Sequence, residues 1–123
     1  MKGIGVDIIE IERIKESVKK YGASFLNKVF TLGEIEYCRK HKAMRFPELA
    51  VRFAAKEAYS KAVGTGITGP GEGKNGLGWH DIEVANESSG RPFLCIKGKK
   101  AKKVLISLSH SRDYAVAAVY VEE

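Results

Sequence analysis

The sequence predicts an α+β fold in which an antiparallel sheet packs against a long central helix. Three observations carry that expectation. A strand-like run opens the chain, helical periodicity fills the rest of its first half, and four strand-like runs follow from residue 79 onward. Helices and strands are therefore segregated in order, which argues against a doubly wound parallel sheet, where they alternate. A single domain over residues 1–123 is expected, because the length suits one domain and no repeat or linker divides it.

Residues 2–9 combine glycine with β-branched side chains and read as a short strand. Glycine weakens a strand, so Gly3 and Gly5 point to close backbone approach or an interior packing limit. Residues 10–20 set Ile11, Ile14 and Val18 at spacings of three and four. That pattern predicts an amphipathic helix whose exposed side carries Arg13, Lys15, Lys19 and Lys20. Phe25, Leu26, Val29 and Phe30 suggest a further turn or two of helix. Thr31 and Glu34 form a capping-box pair opening a helix through Tyr37 and Cys38. Residues 39–45 are a basic stretch. Pro47 then lies just inside the longest helical pattern, 47–63, which is rich in alanine and closed by Gly64. Residues 64–78 carry many glycines and Pro70 and read as a loop. Strands are expected at 79–85, 92–96, 104–108 and 114–121, with a turn at 86–90. Residues 97–103 form a lysine-rich connection, read as one helical turn.

Composition narrows the function. Apolar residues make up 44% and charged residues 29%, the balance of a folded domain. Twenty-one Lys+Arg against fifteen Asp+Glu leave a net charge of +6, which suits an anionic partner such as a phosphate ligand, a nucleic acid or an acidic protein. Cys38 and Cys95 stand alone, so neither a disulfide framework nor a Cys-x-x-Cys zinc site is supported, and a cytoplasmic location is expected. The early acid Asp7 and the absence of a long apolar run argue against a signal peptide or a membrane span. A domain this small buries a limited core, so an oligomer is plausible on size alone. The basic runs lack interleaved aromatic residues, which stacking on nucleic acid would need. The glycines at 64–69 follow a helix, whereas phosphate-binding loops of nucleotide hydrolases precede one.

Three segments carry residues capable of chemistry. Asp7, near the end of the first strand, suits either a hard cation such as Mg²⁺ or a helix N-cap. On the long helix, Glu57 and Lys61 share a face, as do Arg52 and Lys56. They read either as solvent-facing ion pairs or, given the alanine-rich surroundings that bury this helix, as charges with a role. His110, in Ser107-Leu108-Ser109-His110-Ser111, suits a phosphate contact, proton transfer or a backbone hydrogen bond. No nucleophile elbow surrounds these serines.

Taken together, Gly3-Ile4-Gly5-Val6-Asp7-Ile8-Ile9-Glu10, Arg52-Phe53-Ala54-Ala55-Lys56-Glu57-Ala58 with Lys61-Ala62, and Ser107-Leu108-Ser109-His110 resemble the holo-[acyl-carrier-protein] synthases. These are the small, stand-alone 4′-phosphopantetheinyl transferases. The resemblance implies that family's fold. It also implies transfer of the phosphopantetheine arm from coenzyme A to a serine of apo acyl carrier protein, releasing adenosine 3′,5′-bisphosphate, in support of fatty acid biosynthesis. It implies Mg²⁺ held by Asp7 and Glu57, with Lys61 joining them in catalysis. Arg52, His110, Arg45 and Ser111 are the implied coenzyme contacts, and Arg13, Lys20 and Phe25 the implied carrier-protein contacts. A homotrimer with sites between subunits is implied, with no nucleic-acid or membrane partner. Two features depart from the family pattern: residues 97–103 are shorter than the helix expected there, and Ala43 and Met44 separate Lys42 from Arg45. The competing readings are a basic nucleic-acid-binding module and another Mg²⁺-dependent phosphohydrolase.

Overall fold

A computed structural model describes residues 2–65, 67 and 77–122. The chain runs β1 (Gly3–Glu10), α1 (Ile11–Tyr21), α2 (Ala23–Val29), α3 (Leu32–Cys38), β2 (Arg39–Lys40), β3 (Ala43–Met44) and α4 (Phe46–Val63). A 3₁₀ turn (Trp79–Asp81) then leads into β4 (Ile82–Asn86), β5 (Pro92–Ile96), β6 (Lys99–Lys100), β7 (Val104–His110) and β8 (Tyr114–Val121). One antiparallel sheet has the order β1-β8-β7, a second has β4-β5-β6, and β2-β3 is a two-stranded hairpin. The expected α+β class, antiparallel pairing and long helix are all present. Most of the glycine-rich loop read at 64–78 lies outside the described residues.

The β1-β8-β7 sheet lies on α4, and small residues set the spacing between them. Ala54, Ala55, Ala58 and Ala62 on the helix and Ala115 and Ala117 on β8 are all buried. On β1 the contact is closer still. A Cβ built on Gly3 would fall 1.9 Å from the carbonyl oxygen of Ala62, and one on Gly5 would fall 1.9 Å from that of Ala58. Strand and helix keep step here. Two strand residues advance about 6.6 Å, and the four residues between Ala62 and Ala58 advance about 6 Å. Glycine at alternate positions thus clears the path of the helix backbone, which is the close approach expected from the sequence.

Capping follows local chemistry. The Thr31 hydroxyl accepts from the Glu34 amide while a Glu34 carboxylate oxygen accepts from the Thr31 amide, completing the expected capping box. Gly64 ends α4 in the left-handed region, with φ 78°. Asp7, by contrast, lies within β1 and is not a helix cap; the residue preceding α1 is Glu10, which makes no side-chain cap. Residues 97–103 form a turn and the short β6 rather than a helical turn. The reversal uses Lys97 and Gly98 at positive φ, two consecutive left-handed residues that a helix cannot contain. Residues 79–81 form the 3₁₀ turn instead of extending β4, and the basic stretch at 39–45 folds into β2-β3 around His41 and Lys42 at positive φ.

A polar network ties the second sheet to α4. The Lys56 ammonium pairs with Glu34 Oε1 at 2.8 Å and donates to the backbone carbonyls of Trp79 and Ile82. Glu34 Oε2 accepts from the Val84 amide at 2.8 Å. Thr31 donates its hydroxyl to Glu83. Lys56 and Glu34 are both fully buried. Burial pulls the Lys56 pKa down, and the Glu34 carboxylate opposes that pull. Cys38 is also buried, and its thiol is pushed up to about 11, which keeps it protonated and inert.

Two stability outcomes follow. Gly5→Ala drives a methyl into the Ala58 carbonyl and is expected to cost about 3 kcal/mol or more in urea unfolding, the upper range for overpacking. Lys56→Met leaves Glu34 charged and unpaired and is expected to cost about 3–5 kcal/mol. Adding Glu34→Gln to that variant is expected to return part of the loss, because no uncompensated charge then stays buried.

Candidate active site

The Gly3–Gly5 contact decides where Asp7 goes. Asp7 is the next inward residue of β1 after Gly5, on the strand face that meets α4. From α4, Lys61 reaches across. Its ammonium donates to Asp7 Oδ1 at 2.9 Å and to the Val6 carbonyl at 3.2 Å. The Asp7 side chain is largely covered and that of Lys61 is half exposed. Glu57 joins them: its carboxyl pKa is raised by partial burial and then by the nearby charge of Asp7, while Lys61 pulls it down. Two acids fifty residues apart in the chain therefore bear on one another through space. A cavity of about 460 Å³ opens beside them, lined by Glu57, Ser60, Lys61, Gly64, Thr65 and Ile67.

The ion pairs differ from those that helical spacing alone suggests. Lys61 pairs with Asp7, not Glu57; Arg52 pairs with Glu48 at 3.2 Å; and Lys56 pairs with Glu34. Of the three, only Arg52–Glu48 joins residues of one helix; Lys56–Glu34 is fully buried, and Lys61–Asp7 spans helix and strand with its ammonium half exposed.

Two further candidates, Arg52 and His110, line a second groove of about 260 Å³ together with Tyr37, Glu48 and Asn86. Arg52 is buried, with its guanidinium on the Glu48 carboxylate and on Asn86 Oδ1 at 2.8 Å. The Tyr37 ring covers that guanidinium at 4.2 Å. Arg52 Nε is buried without a partner. Arg45 lies over the other reach of Tyr37, 5.1 Å from the ring centroid, and donates to the Tyr37 and Cys38 carbonyls. His110 ends β7 and is exposed at the groove. Ser111 is exposed, but its hydroxyl accepts from the Tyr114 amide within the β7–β8 turn, at 3.2 Å. Tyr37 and Asn86 were not singled out by the sequence reading. Tyr37 lies one turn beyond Glu34 in α3, and nothing local announces that its ring meets two arginines. On α1, Arg13, Lys19 and Lys20 are exposed, whereas Phe25 is half-buried, edge-on to Phe30 with centroids 6.1 Å apart.

The carboxylate pair suits a hard divalent cation. No group of three or more His, Cys, Asp or Glu able to hold a metal occurs among the described residues. Mg²⁺, however, commonly takes only one or two carboxylates and completes its shell with water and substrate phosphate. The donor set of Asp7 and Glu57 matches that habit, and a cationic group already rests on Asp7. No helix among the described residues is long and apolar enough to cross a membrane.

Glu57 sets a stability signature. Its pKa is raised on folding, so the folded state holds the proton more tightly. The stabilising protonated form is present at low pH and lost as pH rises through the folded pKa. Glu57→Gln is accordingly expected to raise Tm at pH 7, with the gain vanishing in acid where wild-type Glu57 is neutral in both states. Thermal melts at the two pH values check this.

Comparison with known proteins places this arrangement. The model of the 4′-phosphopantetheinyl transferase superfamily matches residues 3–119. A holo-[acyl-carrier-protein] synthase of Chloroherpeton thalassium is 46% identical over 123 residues, covering 97% of this chain and 96% of its own. The crystal structure of a holo-(acyl-carrier-protein) synthase from Bacillus anthracis in complex with CoA (3′,5′-ADP) superposes with a TM-score of 0.78 at 42% identity, covering 97% of this chain and 94% of that one. The enzyme from Neisseria meningitidis superposes with a TM-score of 0.80 at 32% identity, with 98% of each chain covered. With nearly its whole length matched in sequence and in structure, the chain belongs to the 4′-phosphopantetheinyl transferase superfamily.

Proposed function

We propose that this protein is a holo-[acyl-carrier-protein] synthase, acting as one transferase domain. It moves the 4′-phosphopantetheine arm from coenzyme A to a serine of apo acyl carrier protein and releases adenosine 3′,5′-bisphosphate, in the service of fatty acid synthesis in the cytoplasm. The observation that carries the reading is the convergence of Asp7, Glu57 and Lys61 beside a cavity, in a chain whose relatives are named for this reaction. A structure from Helicobacter pylori, 30% identical with a TM-score of 0.78, is in complex with coenzyme A, and the Bacillus anthracis structure is in complex with CoA (3′,5′-ADP).

The reaction breaks a pyrophosphate, so the site must neutralise charge and align the attack. Asp7 and Glu57 would hold Mg²⁺, which when bound polarises the phosphorus under attack and orients the pyrophosphate. The serine oxygen forms the new bond to the phosphorus that carries the pantetheine arm, and the bond from that phosphorus to the bridging oxygen breaks. The electron pair leaves on the adenosine-side phosphate. The Lys61 ammonium neutralises the charge that develops there. The serine proton passes to Glu57 or to water beside it. In the second groove, His110 and Arg52 would hold coenzyme phosphate: His110 is exposed, and Arg52 lines the groove with its guanidinium oriented by Glu48, Asn86 and the Tyr37 ring. Arg45 lends charge nearby.

Assembly as a homotrimer completes the proposal. The outer face of the β1-β8-β7 sheet exposes Ile4, Val6, Ile8, Leu105 and Tyr120, with Ile4 71% and Ile8 63% accessible. A contiguous apolar sheet face of this kind supports a protein–protein interface. It lies on β1, the strand that carries Asp7, so a neighbouring copy seated there would stand close to the site. The exposed Arg13 and Lys20 of α1 supply positive charge for an acidic carrier protein, and such charge speeds encounter. Phe25 offers the flank of its ring.

Mass spectrometry of apo acyl carrier protein mixed with this protein, coenzyme A and Mg²⁺ tests the reading: a gain of one phosphopantetheine on serine is expected. Hydrolysis of coenzyme A without carrier protein would instead identify a phosphohydrolase. Asp7→Ala and Glu57→Ala are each expected to lower the rate by about 100-fold or more while the protein stays folded; removing a single charge-stabilising group can cost that much. Arg13→Glu is expected to raise KM for the carrier protein more than for coenzyme A. Equal effects on both would remove α1 from the docking surface.

A further inference from the structure

Lys61 makes a contact that its role toward phosphate does not require. Its ammonium sits 2.9 Å from Asp7 Oδ1, with the Val6 carbonyl 3.2 Å away as a second oxygen. Two oxygens, one of them anionic, thus surround a positive charge beside the second carboxylate of the pair. That charge also opposes the upward push of Asp7 on Glu57. The contact is not needed to join α4 to β1, because the Gly3–Ala62 and Gly5–Ala58 approaches already do so through the backbone. The Lys61 side chain is 53% exposed and rides on a long flexible stem, so it can leave without opening the core.

We propose that Lys61 is a place-holding counter-ion: before a divalent cation binds, its ammonium occupies the cation position on Asp7 and competes with the metal for that carboxylate. The inference rests on the proposed pairing of Asp7 and Glu57 around a metal. Arrival of the cation displaces the ammonium, which is then free for the donor phosphate. Metal and phosphate are coupled through one side chain: the metal releases what the phosphate needs.

The proposal carries an unusual sign. Removing a residue placed in the catalytic machinery strengthens metal binding, whereas removing a mere tether between helix and strand leaves it unchanged or weakens it. The experiment titrates the full-length protein with Mn²⁺ in the absence of coenzyme A and follows the free-ion signal by electron paramagnetic resonance. An exposed carboxylate–ammonium pair is modest in strength. Lys61→Met is therefore expected to lower the Mn²⁺ dissociation constant about two- to fivefold, equal to about 0.4–1 kcal/mol at 1.4 kcal/mol per tenfold. Lys61→Arg retains the charge and is expected to match wild type, while Asp7→Asn is expected to weaken binding sharply. Mg²⁺ should displace the bound Mn²⁺ in each variant that binds it. Affinity in Lys61→Met equal to or below that of wild type overturns the place-holder role. If wild type and every variant leave the Mn²⁺ signal unchanged, or if Asp7→Asn binds as well as wild type, the metal reading itself falls and takes the inference with it.

Discussion

The approach of β1 to α4 governs the rest of this molecule. Helix and strand meet through backbone atoms, because Gly3 and Gly5 present no Cβ to the carbonyls of Ala62 and Ala58. A strand held that near a helix places its next inward side chain within reach of helix residues that would otherwise face empty space. Asp7 is that side chain, and Lys61 answers it. The geometry of the charged site is thus a product of apolar packing. Alanine on α4 and on β8 keeps the sheet at a uniform distance, so the charged groups inherit the rigidity of close-packed backbone.

Along α4, adjacent residues serve opposite ends. Lys56 faces inward and is satisfied by one carboxylate and two carbonyls; Glu57 faces the cavity and is left with a carboxylate for a neighbour. The inward charge tethers the 3₁₀ turn and β4, and thereby brings Trp79 onto Phe53, with ring centroids 5.2 Å apart. Phe53 lies one helical turn before Glu57 on the same face. Buried charges of this kind contribute little net stability, because desolvation offsets the attraction. Their effect here is positional: they fix which backbone lies beside the outward face.

What the sequence revealed follows from the range of the forces involved. Periodicity and capping act within one or two turns, so α1, the Thr31–Glu34 box and α4 were legible from their own residues. The glycines of β1 announced close approach without naming the partner. The 3₁₀ turn at 79–81 was not legible, because its form depends on Lys56 holding the Trp79 carbonyl, a contact twenty-three residues away. Residues 97–103 misled for a different reason: their lysines suit a helical turn, yet the chain reverses at Lys97 and Gly98 and pairs back on β5 as β6. Asp7, Glu57 and Lys61 could be picked out as capable of chemistry, and their joining could be expected only from resemblance. Tyr37 and Asn86 entered the second groove through tertiary packing that no spacing rule encodes.

Trp79 is the sole tryptophan of the chain, and it stacks on Phe53 at an interplanar angle of 28°. Its indole therefore packs on the residue one turn of helix before Glu57, at the end of the segment that the Lys56 ammonium anchors. The protein carries a built-in optical reporter there. Emission excited at the indole band registers events along this face of α4 without an attached dye, and no second indole dilutes the signal.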